Sequence, residues 1–113
     1  MSNTELCLAY LKRYAAKDLA GIAEMFDDDI VLRDWNILVY GKPAALTETR
    51  KNFEAARSIA IEPLFLYENQ TSIAAELKII LNDRDELYVI DVVTFNPAGK
   101  IQAIRAYKGR GGE

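Results

Sequence analysis

The feature that most constrains this chain is a change of hydrophobic period at Ile61. Before it, apolar residues recur mostly at helical spacing; after it they alternate with polar ones, as successive side chains do along extended chain. Helices first and strands afterwards is the α+β ordering, in which helices pack on one face of a sheet. With 113 residues the chain can bury one core and leaves no room for a second domain and linker, so 1–113 is expected to be a single domain.

In the first half, Ser2 and Glu5 read as a capping box. Leu6, Cys7, Tyr10, Leu11, Tyr14 and Ala15 then gather on one arc of a helix running to about Ala16. Asp18 caps a second short helix, Leu19 to Phe26, with Leu19, Ile22 and Phe26 facing inward. Asp27-Asp28-Asp29 ends that helix in solvent; contiguous carboxylates point in different directions, so this reads as a solvated turn and no metal is expected. Ile30 to Trp35 alternates, with Ile30, Leu32 and Asp34 on one face, and continues through Ile37, Leu38 and Val39 to a turn at Gly41. Pro43 suits the first position of a third helix, which carries Leu46 and Phe53 and ends near Ala60.

Four strand-like segments follow: Ile61 to Tyr67, Ser72 to Leu81, Leu87 to Phe95 and Ile101 to Tyr107. Hairpin-like connections join them, at Glu68-Asn69-Gln70, Asn82-Asp83-Arg84-Asp85 and Asn96-Pro97-Ala98-Gly99-Lys100, so the sheet is expected to be largely antiparallel. Gly109 to Glu113 reads as a frayed tail.

Composition narrows the function. The net charge is −3 and the cationic residues are scattered, so the basic footprint that nucleic acid requires is missing. No basic leader or membrane-length apolar run is visible, which makes cytoplasmic the default expectation. Cys7 is the only cysteine and histidine is absent. Disulfides within the chain, zinc clusters and histidine-based catalysis are therefore excluded, and any chemistry falls to Asp, Glu, Tyr, Lys or Arg.

Three polar residues interrupt apolar stripes. One face of the strand Leu87 to Phe95 reads Leu87, Val89, Asp91, Val93, Phe95. An ionised carboxylate there is costly to desolvate, so Asp91 is either paired with a cation, Arg105 on the next strand being the candidate, or held protonated as a hydrogen-bond donor. Asp34 ends the stripe Ile30, Leu32, Asp34, either as an exposed strand-end carboxylate or as a second group of the same site. Tyr10 lies within the first helix's apolar arc, as a core tyrosine or as a hydroxyl aimed at a ligand.

At these spacings, Tyr10, Asp18-Leu19-Ala20-Gly21-Ile22, Met25 to Asp29 and Asp34, followed by Gly41, Ile90-Asp91 and Phe95-Asn96-Pro97-Ala98-Gly99-Lys100, resemble the ketosteroid isomerases and their SnoaL-like relatives in the nuclear-transport-factor-like superfamily. The resemblance covers nearly the whole chain. It implies a cone-shaped, curved, mostly antiparallel sheet wrapped around three N-terminal helices, with an apolar pocket. It implies that Tyr10 and a protonated Asp91 form an oxyanion hole and that Asp34 is the catalytic base, with Tyr14, Trp35, Phe53, Val89 and Val93 around the substrate. Two departures bear on substrate: Trp35 follows Asp34 where the isomerases commonly have proline, and their supporting third-helix tyrosine is replaced near Thr49 and Arg50.

The activity so implied is cofactor-independent double-bond isomerisation next to the carbonyl of an apolar small molecule, a ketone or steroid-like compound. The alternatives are a SnoaL-like cyclase and a non-catalytic ligand-binding or association domain, because fold does not fix function. A dehydratase of the scytalone type would lean on histidines. An epoxide hydrolase of the limonene type would want Arg-x-Asp on a central strand, where this chain has Glu76-Leu77-Lys78. Tyr88, Ile90 and Val92, taken with Ile104 and Ala106, predict an apolar outer sheet face covered by a second copy, hence a homodimer.

Overall fold

Ser2 Oγ accepts the Glu5 N–H at 3.0 Å while Glu5 Oε1 accepts the Ser2 N–H at 2.9 Å, so the capping box opens the first helix, α1 (Asn3–Ala15). A computed structural model describes residues 1–111 of the chain. After α1 come α2 (Leu19–Met25), β1 (Phe26–Arg33), β2 (Leu38–Tyr40), α3 (Lys42–Ala55), β3 (Ile59–Glu68), β4 (Ser72–Leu81), β5 (Asp85–Phe95) and β6 (Ile101–Lys108).

One sheet of order β2-β1-β6-β5-β4-β3 results, antiparallel at every junction except β1–β6, which is parallel. Two helices pack on its inner face, α1 against β3 and β4 and α3 against β1 and β2, while α2 packs against α1 and α3. Between the layers, Ile22, Ile30, Ile73, Leu77, Val93 and Ile101 are wholly buried. The ladders shift register at Pro63/Phe65, between Phe26 and Val31, and between Thr94 and Phe95, and such irregularities bend and twist a strand.

Several local expectations are corrected. The aspartates do not end α2 in a solvated turn. The Phe26 N–H closes the last helical bond on Ile22 O, its backbone then turns extended, and Asp27-Asp28-Asp29 run inside β1, over the stretch where the ladder to β6 is interrupted. Asp27 Oδ1 there accepts the Asn96 side-chain amide at 2.9 Å. Helix α3 ends at Ala55 rather than near Ala60. Lys17 Nζ bonds the carbonyls of Ala56 and Arg57, and the Arg57 N–H donates to Asn82 Oδ1 at 2.7 Å, which holds the chain extended into β3.

The run from Ile30 to Val39 is not one strand but the antiparallel pair β1–β2, folded back at Asp34. At the C-terminus the Gly109 N–H bonds Tyr88 O at 2.6 Å, so the chain is tied to β5 beyond the end of β6; Gly112 and Glu113 of the expected tail lie outside the described residues.

The outer face also differs from expectation. Phe95 pairs with Ile101 but Thr94 pairs with Ala103, leaving one extra residue on β6. That bulge reverses the phase, turning Ile104 and Ala106 to the inner face, where Ile104 is buried. Ile90 is exposed on the outer face as expected, and the exposed apolar residues that join it there are Phe65, Tyr67 and Tyr107. No helix among the described residues is long and apolar enough to cross a membrane.

Candidate active site

Asp91 occupies the middle of β5, with the buried Val89 and Val93 on either side of it along the strand's inner face. Its register partners are Ala75 on β4 and Ala106 on β6. Two methyl side chains flank a carboxyl where larger residues would fill the space, and a cavity of about 460 Å³ opens in front of it. Tyr10, Asp34 and Asp91 all line this cavity.

The ion-pair alternative for Asp91 is not realised. Arg105 pairs with Val92 and therefore leaves on the opposite face, and no salt bridge to Asp91 occurs among the described residues. Burial first, and the charge of Asp34 second, push the Asp91 carboxyl up to about 7. It is thus largely a carboxylic acid, able to donate, up to nearly neutral pH.

Tyr10 projects from the buried arc of α1, its ring packed against Tyr14 and Phe26 with centroids 5.9 and 6.3 Å away. Burial, reinforced by Tyr14, Asp91 and Cys7, keeps its hydroxyl well above the ordinary phenol range, hence neutral and a donor. Among the described residues no protein group hydrogen-bonds the Tyr10 hydroxyl or the Asp91 carboxyl, and no buried side-chain polar atom is left unsatisfied. Both groups are accordingly open to the cavity, where a ligand oxygen can meet them.

Asp34 sits at the end of β1 in a turn of its own making. Its Oδ1 accepts the backbone N–H groups of Asn36 and Ile37 at 2.7 and 2.9 Å, while its own N–H bonds Ile37 O at 3.0 Å. An aspartate that bonds the chain two and three residues on is a natural turn former. One oxygen is fixed by this turn and the other is left for the cavity.

The remaining expected residues divide. Tyr14, Trp35 and Val89 line the cavity; Phe53 and Val93 do not, being packed in the core behind it. Phe53 stands edge-on to Tyr14 with ring centroids 4.9 Å apart and so supports a lining residue. Thr49, where a supporting tyrosine was expected to be replaced, is buried, with its hydroxyl donating to Ala45 O at 2.8 Å.

Sequence reasoning missed the apolar wall made by Ile59, Ile61, Ile79 and Leu81, and the polar rim that α3 supplies through Glu48, Lys51 and Asn52. The wall was visible as the inner stripe of the strands. The rim had a weaker signal, since polar residues at helical spacing read equally well as a solvated face.

No family model matches the sequence, and no curated protein matches it. Solved structures do. An epoxide hydrolase/cyclase-like enzyme, SalBIII, described in pyran ring formation in the polyether salinomycin, superposes with a TM-score of 0.82 at 25% identity, covering 95% of this chain and 90% of that one. An NTF2-like protein of unknown function from Cytophaga hutchinsonii gives 0.81 at 9% identity over 96% and 91% of the two chains. This chain has the NTF2-like fold. A Kribbella flavida protein provisionally named a ketosteroid isomerase gives 0.81 at 15% identity, over 96% and 78%. The structural neighbours thus include isomerase, cyclase and hydrolase names.

Proposed function

We propose that this NTF2-like chain is a cofactor-independent proton-transfer enzyme acting next to a carbonyl in an apolar small molecule. The observation that carries the proposal is the shared cavity of a protonatable Asp91, an unpartnered Tyr10 hydroxyl and an Asp34 whose second oxygen is free.

Asp34 Oδ2 takes a proton from the carbon beside the carbonyl. The electron pair moves onto the carbonyl oxygen through the conjugated system, where Tyr10 and Asp91 donate hydrogen bonds to it. Asp34, now an acid, returns the same proton to a different carbon, and the double bond has moved with no net gain or loss of atoms. Donors aimed in advance at the developing charge in a water-poor site are worth roughly 3 kcal/mol each. A protonated Asp beside a Tyr is the oxyanion-binding arrangement of ketosteroid isomerase, and the same logic applies to this pair.

The test is binding of 2-naphthol, a phenolic mimic of the dienolate. Tyr10→Phe and Asp91→Leu are expected to weaken it by about ten- to a hundredfold, and Asp34→Asn to leave it unchanged or tighten it. Failure of the wild type to bind it favours a non-catalytic association domain.

A second reading has its own support in the resemblance to SalBIII. In an epoxide-opening cyclisation Asp91 would give its proton to the epoxide oxygen while Asp34 takes one from the attacking hydroxyl. Turnover of a hydroxy-epoxide with no turnover of β,γ-unsaturated ketones would select it. Self-association through Phe65, Tyr67, Ile90 and Tyr107 belongs to the same proposal, and sedimentation as a monomer at micromolar concentration would overturn that part of it.

A further inference from the structure

Tyr14 lies one helical turn beyond Tyr10 on α1, and residues four apart on a helix share a face. Both line the same cavity. The Tyr14 oxygen accepts the Asn52 side-chain amide at 3.1 Å, and among the described residues no other hydrogen bond reaches this hydroxyl. Its own proton is therefore uncommitted. Phe53 edge-on at 4.9 Å and Tyr10 edge-on at 5.9 Å hold the ring in place.

We infer that Tyr14, held by Asn52, is a second oxygen-binding donor in the cavity, so that the compound bound there is an apolar ring system carrying two oxygen functions rather than one. The inference rests on the proposed reading in that the first oxygen is the one met by Tyr10 and Asp91.

The electrostatics agree. Burial raises the Tyr14 phenol, and Asp91 and Asp34 raise it further, against the opposing bond from Asn52. The group stays a neutral donor at neutral pH. An amide donating to a phenol oxygen also polarises its O–H, which strengthens the bond it can give. Two donors lining one cavity suit a ring that carries two oxygens, such as a cyclic 1,3-dione or a hydroxy-ketone. Asn52 stands at the exposed rim of the cavity, so water meets the Tyr14 hydroxyl until a second ligand oxygen takes its place.

The experiment compares 2-naphthol with 1,3-dihydroxynaphthalene and reads the ratio of their dissociation constants. In the wild type the second oxygen is expected to tighten binding about tenfold, one net hydrogen bond. In Tyr14→Phe, which removes a single oxygen atom, the ratio is expected to fall to about two or less, the gain from a ligand that can present either of its two hydroxyls to the first site; in Tyr10→Phe it is retained. Asn52→Leu is expected to give an intermediate ratio. A wild-type ratio near two, or a tenfold ratio that survives Tyr14→Phe, overturns the inference alone while the proposed reading stands. Failure of both naphthols to bind the wild type overturns the two together.

Discussion

Arg105 pairs across the β5–β6 ladder with Val92, one residue from Asp91, and so leaves on the sheet's outer face while Asp91 looks inward. No cation offsets the burial of that carboxyl, and its proton affinity is raised instead. The folded chain binds a proton at Asp91 that the unfolded chain releases at ordinary aspartate pH. Stability should accordingly be highest below about 3.8 as far as this group alone is concerned, and decline as pH rises towards about 7. Replacement by the neutral near-isostere, Asp91→Asn, is expected to reduce the stability difference between about pH 5 and pH 8 by about 1–3 kcal/mol. Denaturant titrations at the two pH values, with carboxyl NMR of Asp91, check this; equal slopes in variant and wild type would rule it out.

Asp34 carries the second prediction. Its charge is one cause of the raised Asp91 carboxyl, so Asp34→Asn should lower the Asp91 midpoint, though burial, the larger cause, keeps it above the ordinary aspartate range. The same variant should lose isomerisation rate by about 10²–10⁴, the usual worth of a general base. In the wild type the rate should fall as pH rises through about 7, because an ionised Asp91 can no longer donate to the oxyanion. A rate that climbs steadily past this pH would count against Asp91 as the donor.

Cys7 is wholly buried on α1, and burial, with Asp91 nearby, pushes its thiol up to about 12. The thiolate is the reactive form, so the native chain should be inert to a disulfide reagent at neutral pH and react fully once unfolded. Rapid labelling of the native state would show that α1 opens locally.

Ala106 supplies the fourth. It stands beside Asp91 and lines the cavity, so Ala106→Leu should fill the space before the carboxyl and weaken 2-naphthol by about tenfold or more, with thermal stability largely kept because the side chain enters open volume. Loss of folding would mean that the inner face there is already fully packed.

How far the residues alone lead is clear from particular elements. The capping box at Ser2 and Glu5, the α+β order and the inward face of Asp91 are all local matters of spacing, and periods of 3.6 and 2 can be read along the chain. The two-way choice for Asp91 was also legible, since an isolated carboxylate among valines must be paired or protonated.

Which branch holds was decided by register, and register is not local. A single extra residue in β6 turned Ile104 and Ala106 inward and, with the ladder, Arg105 outward. Asp34 reads as the end of a stripe in sequence, but its folded role comes from bonding Asn36 and Ile37, which reverses the chain into β2. The cavity brings together Ala106 of β6 and Asp91 of β5 with residues of α1 and α3, and the Tyr14–Asn52 pair joins side chains 38 residues apart in sequence. The sequence by itself therefore determined the elements and the odd polar residues, because those follow from the period of side chains along one segment. Only the tertiary structure decided which of them share a space, because bulges, turns and the packing of α3 act between segments that have no fixed distance along the chain.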